Sequence, residues 1–199
     1  DLTFYRDIVN TFEVKRADVL EGLFYLFAKE SGNVVNYANL SSSLKTKFET
    51  IKTYIDYLNS AFLVSKSQFY SGSKLKTLEK NEKVYVADHA FNMLQTMKTG
   101  SKIETLIYNA VRSAGYDLFY WQDKNQTEVD IVAIDKETIP IEVKYQNKII
   151  ESDLKNLYAF MDKFKVKKAV LVTKNKLEVK KQKGKEVHCI PAWMFLLAV

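Results

Sequence analysis

TEVDIVAIDKETIPIEVKYQ, Thr127 to Gln146, sets acids into two stretches that otherwise read as strands of a buried sheet. Glu128 to Ile134 and Ile139 to Tyr145 are rich in β-branched and aliphatic side chains. The connection Asp135 to Thr138 is short enough to fold the second strand back beside the first. Alternate residues of a strand share a face. Glu128, Asp130, Val132 and Ile134 therefore point one way, and Glu142, Lys144 and Gln146 point together on the next strand. Where those faces coincide, Asp130, Glu142 and Lys144 cluster. The triplet Glu-Val-Lys proves nothing alone, since it also occurs at Glu13 to Lys15 and Glu178 to Lys180. Neither of those copies has a companion acid on a paired strand.

Working outward, Ile103 to Ala114 reads as a helix with Ile103, Ile107, Ala110, Val111 and Ala114 on its apolar face, stopped by Gly115. Glu104 lies on the flank of that face, where a helix packed on the sheet can bring it to the same spot. Leu118 to Gln122 is a short strand, Asp153 to Phe164 a helix and Lys168 to Thr173 a fourth strand. Helix, three-stranded meander, helix, strand is an α/β order with a mixed sheet. The closing IPAWMFLLAV is too short to span a bilayer and reads as a buried segment.

The N-terminal half has another rhythm. Arg16 to Glu30, Asn36 to Leu44 and Phe48 to Ser60 have helical spacing, and Phe62 to Tyr70 and Lys83 to Asp88 alternate like the strands of a hairpin wing. The pattern is that of a winged helix-turn-helix, whose second motif helix offers Lys47, Thr50, Lys52, Thr53 and Tyr57 outward. Lys74, Lys76, Lys80 and Lys83 belong to the wing, where they read either as contacts to backbone phosphate or as charges that keep a loop soluble. Composition turns polar around Gln95 to Lys102, with Gly100-Ser101 as a break. The expected domains are residues 1–96 and 97–199.

Charge divides along the same line. Residues 1–95 hold 12 Lys+Arg against 11 Asp+Glu, and residues 96–199 hold 18 against 13, so nearly all of the net +6 lies in the second half. Its densest run, Lys163 to Lys185 with Lys167 and Lys168, reads equally as a solvated face or as contact with phosphates. The thin charge of the first half makes docking or scaffolding as good a reading there as base reading. A single Cys189 excludes an internal disulfide, no apolar run reaches membrane-spanning length, and no secretory leader is legible. A soluble cytoplasmic protein is the expectation, with no membrane partner.

Three carboxylates, Glu104, Asp130 and Glu142, converging with Lys144 would repel one another unless a cation neutralised them. Oxygen-only donors suit Mg²⁺ or Mn²⁺. Zinc does not fit, with two histidines and one cysteine in the chain. In such a site Lys144 would orient water or offset developing charge. Glu104, then Asp130, then Glu142-Val143-Lys144 across a hairpin resembles the core of the PD-(D/E)XK nuclease superfamily. That resemblance implies a restriction-endonuclease-like fold in which the matching acids bind metal and the matching lysine assists phosphodiester hydrolysis. Val129 stands where a proline precedes the aspartate in that pattern.

A second resemblance covers nearly the whole chain. FYRDIV, YLNSAFLV, KVYVADHAF, IETLIYNAV, LFYWQDKNQTEVDIV, IPIEVK and IPAWMFLL, in that order, resemble the uncharacterised C-terminal half of a prokaryotic AAA-type ATPase family. The resemblance implies a winged helix joined to a nuclease-like domain, DNA as partner, and an N-terminal P-loop module as the chain's own ATPase. No G-x-x-x-x-G-K-[ST] occurs in these 199 residues, so no ATP site of that kind is expected here, and the sequence reads as the C-terminal portion of a longer chain.

Overall fold

The structure is a computed structural model that describes residues 8–71, 77, 80–88, 90–91 and 99–199. It is a mixed α/β protein whose chain divides into two compact units, Asp1–Lys66 with Asn81–Met97, and Ser67–Lys80 with Lys98–Val199. Lys74, Lys76 and residues 95–98, where the sequence suggests a wing and a boundary, lie outside the described residues.

The first unit begins with α1 (Ala17–Lys29), β1 (Asn33–Val34), α2 (Tyr37–Ser43) and α3 (Phe48–Ser60). Asn36 opens α2 by accepting the Asn39 N–H at 3.0 Å, which satisfies a donor the helix start leaves open. Leu20 and Leu23 of α1 and Ile51, Ile55 and Leu58 of α3 recur at helical spacing and are fully buried together. Val64 of β2 (Val64–Phe69) and Val84 and Val86 of β3 (Lys83–Val86) complete that core. β1 pairs antiparallel with β3 through Asn33 and Val34.

The second unit takes the far end of β2. Gln68 and Phe69 pair in parallel with Phe119 and Tyr120 of β4 (Asp117–Gln122), and for that reason residues 67–80 group with the second unit. A linear division at residue 96 assigns them to the first. From β4 the sheet runs through β5 (Glu128–Ile134), β6 (Thr138–Lys144), β7 (Lys168–Thr173) and β9 (Lys185–Pro191) to the edge strand β8 (Glu178–Gln182). β4, β5 and β6 are antiparallel neighbours, whereas β6, β7 and β9 run parallel.

Helices cover both faces of this sheet. α5 (Lys155–Phe164), entered through a 3-10 turn at Glu151–Leu154, buries Leu157, Phe160 and Met161 against Val132, Leu171, Val187 and Cys189. α4 (Thr99–Ser113) packs on β5 and β6, and α6 (Ala192–Ala198) packs on α4, β7 and β9. None of the buried residues of α4 or α6 belongs to the α5-side core, which places those two helices on the opposite face.

Three expectations are corrected here. Gly100-Ser101 is not a break but part of the first turn of α4, and Ser101 O accepts the Thr105 hydroxyl at 3.0 Å. The Glu178 to Lys180 copy of Glu-Val-Lys does have a paired strand that carries an acid: β8 and β9 form a hairpin around Lys183 (φ 48°) and Gly184 (φ 75°), the paired positive φ of a type I′ turn, with Glu186 opposite Lys181. The closing helix is not a buried segment, since Trp193 is 58% and Leu197 81% exposed and only Ala192 and Phe195 are buried.

Candidate functional site

Strand register builds the site. The β5–β6 ladder pairs Ile131 with Ile141, and one step beyond it the Val143 N–H donates to Asp130 Oδ2 at 2.8 Å. Across the other edge of β5, Phe119 pairs with Val132 and Trp121 with Val129, so Asp130 and Ile131 together oppose Tyr120 alone. Two residues against one is a β-bulge, a device that re-aims a side chain. Asp130 sits in it.

Glu142 pairs in register with Leu171, whose side chain belongs to the α5-side core, and parallel neighbours in register share a face. Asn156 Nδ2 of α5 stands 3.5 Å from Glu142 Oε1, which agrees with that placement. Glu142 is only 1% exposed. Two residues on, Lys144 lies on the same face and donates from Nζ to Glu142 Oε1 at 2.6 Å. Burial pulls the Lys144 ammonium down, but Glu142 and Asp130, followed by Asp153, more than offset it and hold it above the ordinary lysine value. Glu142, Asp130 and Asp153 are thus the carboxylates that act on this ammonium.

Asp153 was not among the residues singled out from sequence. It ends the connection that follows β6, where Oδ2 accepts both Gln146 Nε2 and the Ile150 N–H at 2.8 Å. Its legible signal is its place at a helix start, where acids are favoured. Glu104 is placed differently from Glu142 and Lys144. It is half-buried on α4, the helix of the opposite face, and among the described residues no group of three or more His, Cys, Asp or Glu stands close enough to hold a metal ion. The Glu104–Asp130–Glu142 set is therefore not assembled as a three-acid cluster. The remaining pair, Asp130 and Glu142, offers carboxylate oxygen donors. That donor set fits a hard divalent cation, which commonly uses one or two carboxylates and keeps its waters.

The lysines read as phosphate contacts are dispersed. Lys47 precedes α3 and Lys52 lies on it, both exposed, and Lys167 and Lys168 are exposed at the start of β7. Part of the outward face of α3 is taken up by its own chain. Phe12 stacks on Tyr57 with ring centroids 4.4 Å apart, and Tyr54 Oη accepts the Arg16 N–H at 3.0 Å. Along the β8 hairpin, Lys176 and Lys180 pair with Glu178 at 3.4 and 3.2 Å and Lys181 with Glu186 at 2.7 Å. Charges on an edge strand also keep it from pairing with other chains. Tyr120 and Trp121 are core residues, 2% and 1% exposed. Among the described residues no helix is long and apolar enough to cross a membrane.

A family model described as Domain of unknown function (DUF8612) matches residues 1–101, just over half of the chain. The chain belongs to that family. A second model, Domain of unknown function (DUF4143), matches residues 99–195, which hold Asp130, Glu142 and Lys144. Over nearly its whole length the chain is also similar to an uncharacterized protein of Haemophilus influenzae, 24% identical over 204 residues that cover 98% of this chain and 50% of the relative. The chain thus spans about half the length of the curated relative it matches. No solved structure matches it.

Proposed function

We propose that the second unit is a nuclease-like domain that handles a phosphodiester at Asp130, Glu142 and Lys144, within the C-terminal region of a DNA-associated AAA-type ATPase. The supporting observation is the Lys144 ammonium 2.6 Å from a Glu142 carboxylate that is 1% exposed, beside Asp130 in its bulge. Placing ions away from water costs several kcal/mol each, and packing has no use for it. A site that must hold a cation and meet a phosphate does.

In this reading Asp130 and Glu142 hold Mg²⁺ or Mn²⁺, which supplies Lewis-acid stabilisation of charge developing on the phosphate. Lys144, kept protonated by its carboxylate neighbours, offsets the remaining charge. Asn156 and Asp153 fix the positions of Glu142 and Gln146 from the α5 side. The ATPase association rests on the resemblance of the chain as a whole, and a relative about twice as long leaves room for such a module. The first unit, a winged-helix-like block with little excess charge, docks rather than reads bases.

A second reading, a binding module without turnover, is favoured by the failure of a three-acid group to assemble among the described residues. Plasmid nicking separates the two. Nicking that needs Mg²⁺ or Mn²⁺, stops in EDTA, disappears in Glu142→Gln and slows at least tenfold in Lys144→Ala supports the enzyme. DNA binding without nicking supports the module, and nicking that survives Glu142→Gln unchanged removes the site from the reaction.

A further inference from the structure

Beside the site, on the α5 face of the sheet, lies a cleft of about 690 Å³. One wall is the chain from Ile149 through the 3-10 turn to the start of α5, and the other is the edge strand β8. Lys155 and Lys180 line it with one acid, Glu151, while Lys181, next to Lys180 on the strand, borders the cleft with its ammonium turned to Glu186 on the other face. Between the lysines lie Ile149, Ile150, Leu154 and Tyr158. Ile150 is 51% exposed, an apolar side chain turned toward an aqueous groove.

The cleft and the acid pair share one piece of chain. Asp153, which holds the wall by accepting the Ile150 N–H, also accepts Gln146, two residues beyond Lys144. On α5, Lys155 faces the cleft while the adjacent Asn156 reaches Glu142. A chain of phosphates lying in this cleft therefore runs along the same wall that borders the site.

We propose that the cleft binds single-stranded nucleic acid, with Lys155 and Lys180 on its phosphates and Tyr158 and Ile150 against its bases. The proposal rests on the phosphodiester reading of Asp130, Glu142 and Lys144 and names how that substrate is held. A cationic groove with an aromatic and apolar floor is the combination that binds single strands irrespective of sequence. A duplex keeps its bases stacked inside and has no use for such a floor. Lys180 now pairs with Glu178, but its side chain is 45% exposed, and exposed ion pairs are worth ~0–1 kcal/mol, so a phosphate displaces that partner readily.

The test is fluorescence anisotropy of a labelled oligothymidine of about 12 nucleotides, within the usual site size of such grooves, titrated with the whole chain at several salt concentrations. Lys155→Ala/Lys180→Ala removes two cleft charges from exposed positions. Lys167→Ala/Lys168→Ala removes the same charge from the start of β7, outside the cleft. The cleft variant should bind at least tenfold more weakly and flatten the salt slope by about 1.4, at ~0.7 per phosphate contact on a single strand, with the control within threefold of wild type. Equal weakening by both variants, no weakening by the cleft variant, or displacement of the oligonucleotide by polyglutamate as readily as by unlabelled strand would each overturn it. If wild type nicks plasmid while the cleft variant binds normally, the cleft fails and the nuclease reading stands. Cleft-dependent binding without nicking leaves the cleft in place and removes hydrolysis.

Discussion

α3 of the first unit and β6 of the second both interrupt apolar patterns with polar residues, and the structure treats them oppositely. On α3, Tyr54 and Tyr57 meet Arg16 and Phe12 of the same chain, and Lys47 and Lys52 stay in water. On β6, Glu142 is buried, Lys144 is drawn onto it, and Asp130 and Asp153 act on the same ammonium. A polar group satisfied by neighbouring backbone and rings is packing. A buried carboxylate that holds an ammonium, with further acids beside it, is the mark of a site that takes a ligand.

The largest effect should come from the scaffold behind β6. Phe160 is fully buried, with ring centroids 4.5 Å from Phe164 and 5.5 Å from Trp121. Phe160→Ala should lower the stability of the second unit by ~3–5 kcal/mol, read by urea denaturation. Both tryptophans of the chain, Trp121 and Trp193, lie in that unit, so their fluorescence reports it alone. A loss below ~1 kcal/mol would mean the α5 face is not the rigid support the comparison requires.

Next is Lys144→Ala, which strips a buried carboxylate of its ammonium and should cost about 2 kcal/mol. pH gives its signature. The folded pKa of Lys144 lies above the ordinary 10.5, so its stabilisation is complete below that value and fades as pH rises through the folded one. The stability gap between wild type and Lys144→Ala should hold from neutral pH to about pH 9.5 and close above the lysine range. A constant gap would assign the loss to packing.

In the first unit, Phe12→Ala should cost about 1 kcal/mol, the scale of one aromatic pair, followed by circular dichroism, without change in DNA affinity. The smallest effect is expected from Lys47→Ala/Lys52→Ala, within ~0.5 kcal/mol in stability and within about twofold in DNA binding. A large loss of binding there would reverse the comparison and make α3 the reader.

Periodic elements were legible because their period is their burial. Phe48–Ser60, Glu128–Ile134 and Lys168–Thr173 are the stretches read from the sequence, residue for residue. β8 and β9 were hidden by lysines on an exposed edge, where solvent removes the apolar alternation, although Lys183-Gly184 between two alternating stretches was a turn signal. Glu104 failed to join for a reason that sequence does not carry: which face of the sheet a helix covers is settled by packing, and α4 covers the face opposite Glu142. Asp153 went unnoticed because its proximity to Lys144 arises from a connection, not from strand periodicity.

On the proposed reading, Asp130 and Glu142, without Glu104, form the cation-binding end of a phosphodiester site. Crystals of the whole chain soaked in Mn²⁺ and measured at the manganese absorption edge test it directly. The account predicts an anomalous peak within about 2.0–2.6 Å of a carboxylate oxygen from each of Asp130 and Glu142, absent in Glu142→Gln. A peak at Glu104 or elsewhere, or none in the wild type, would contradict it.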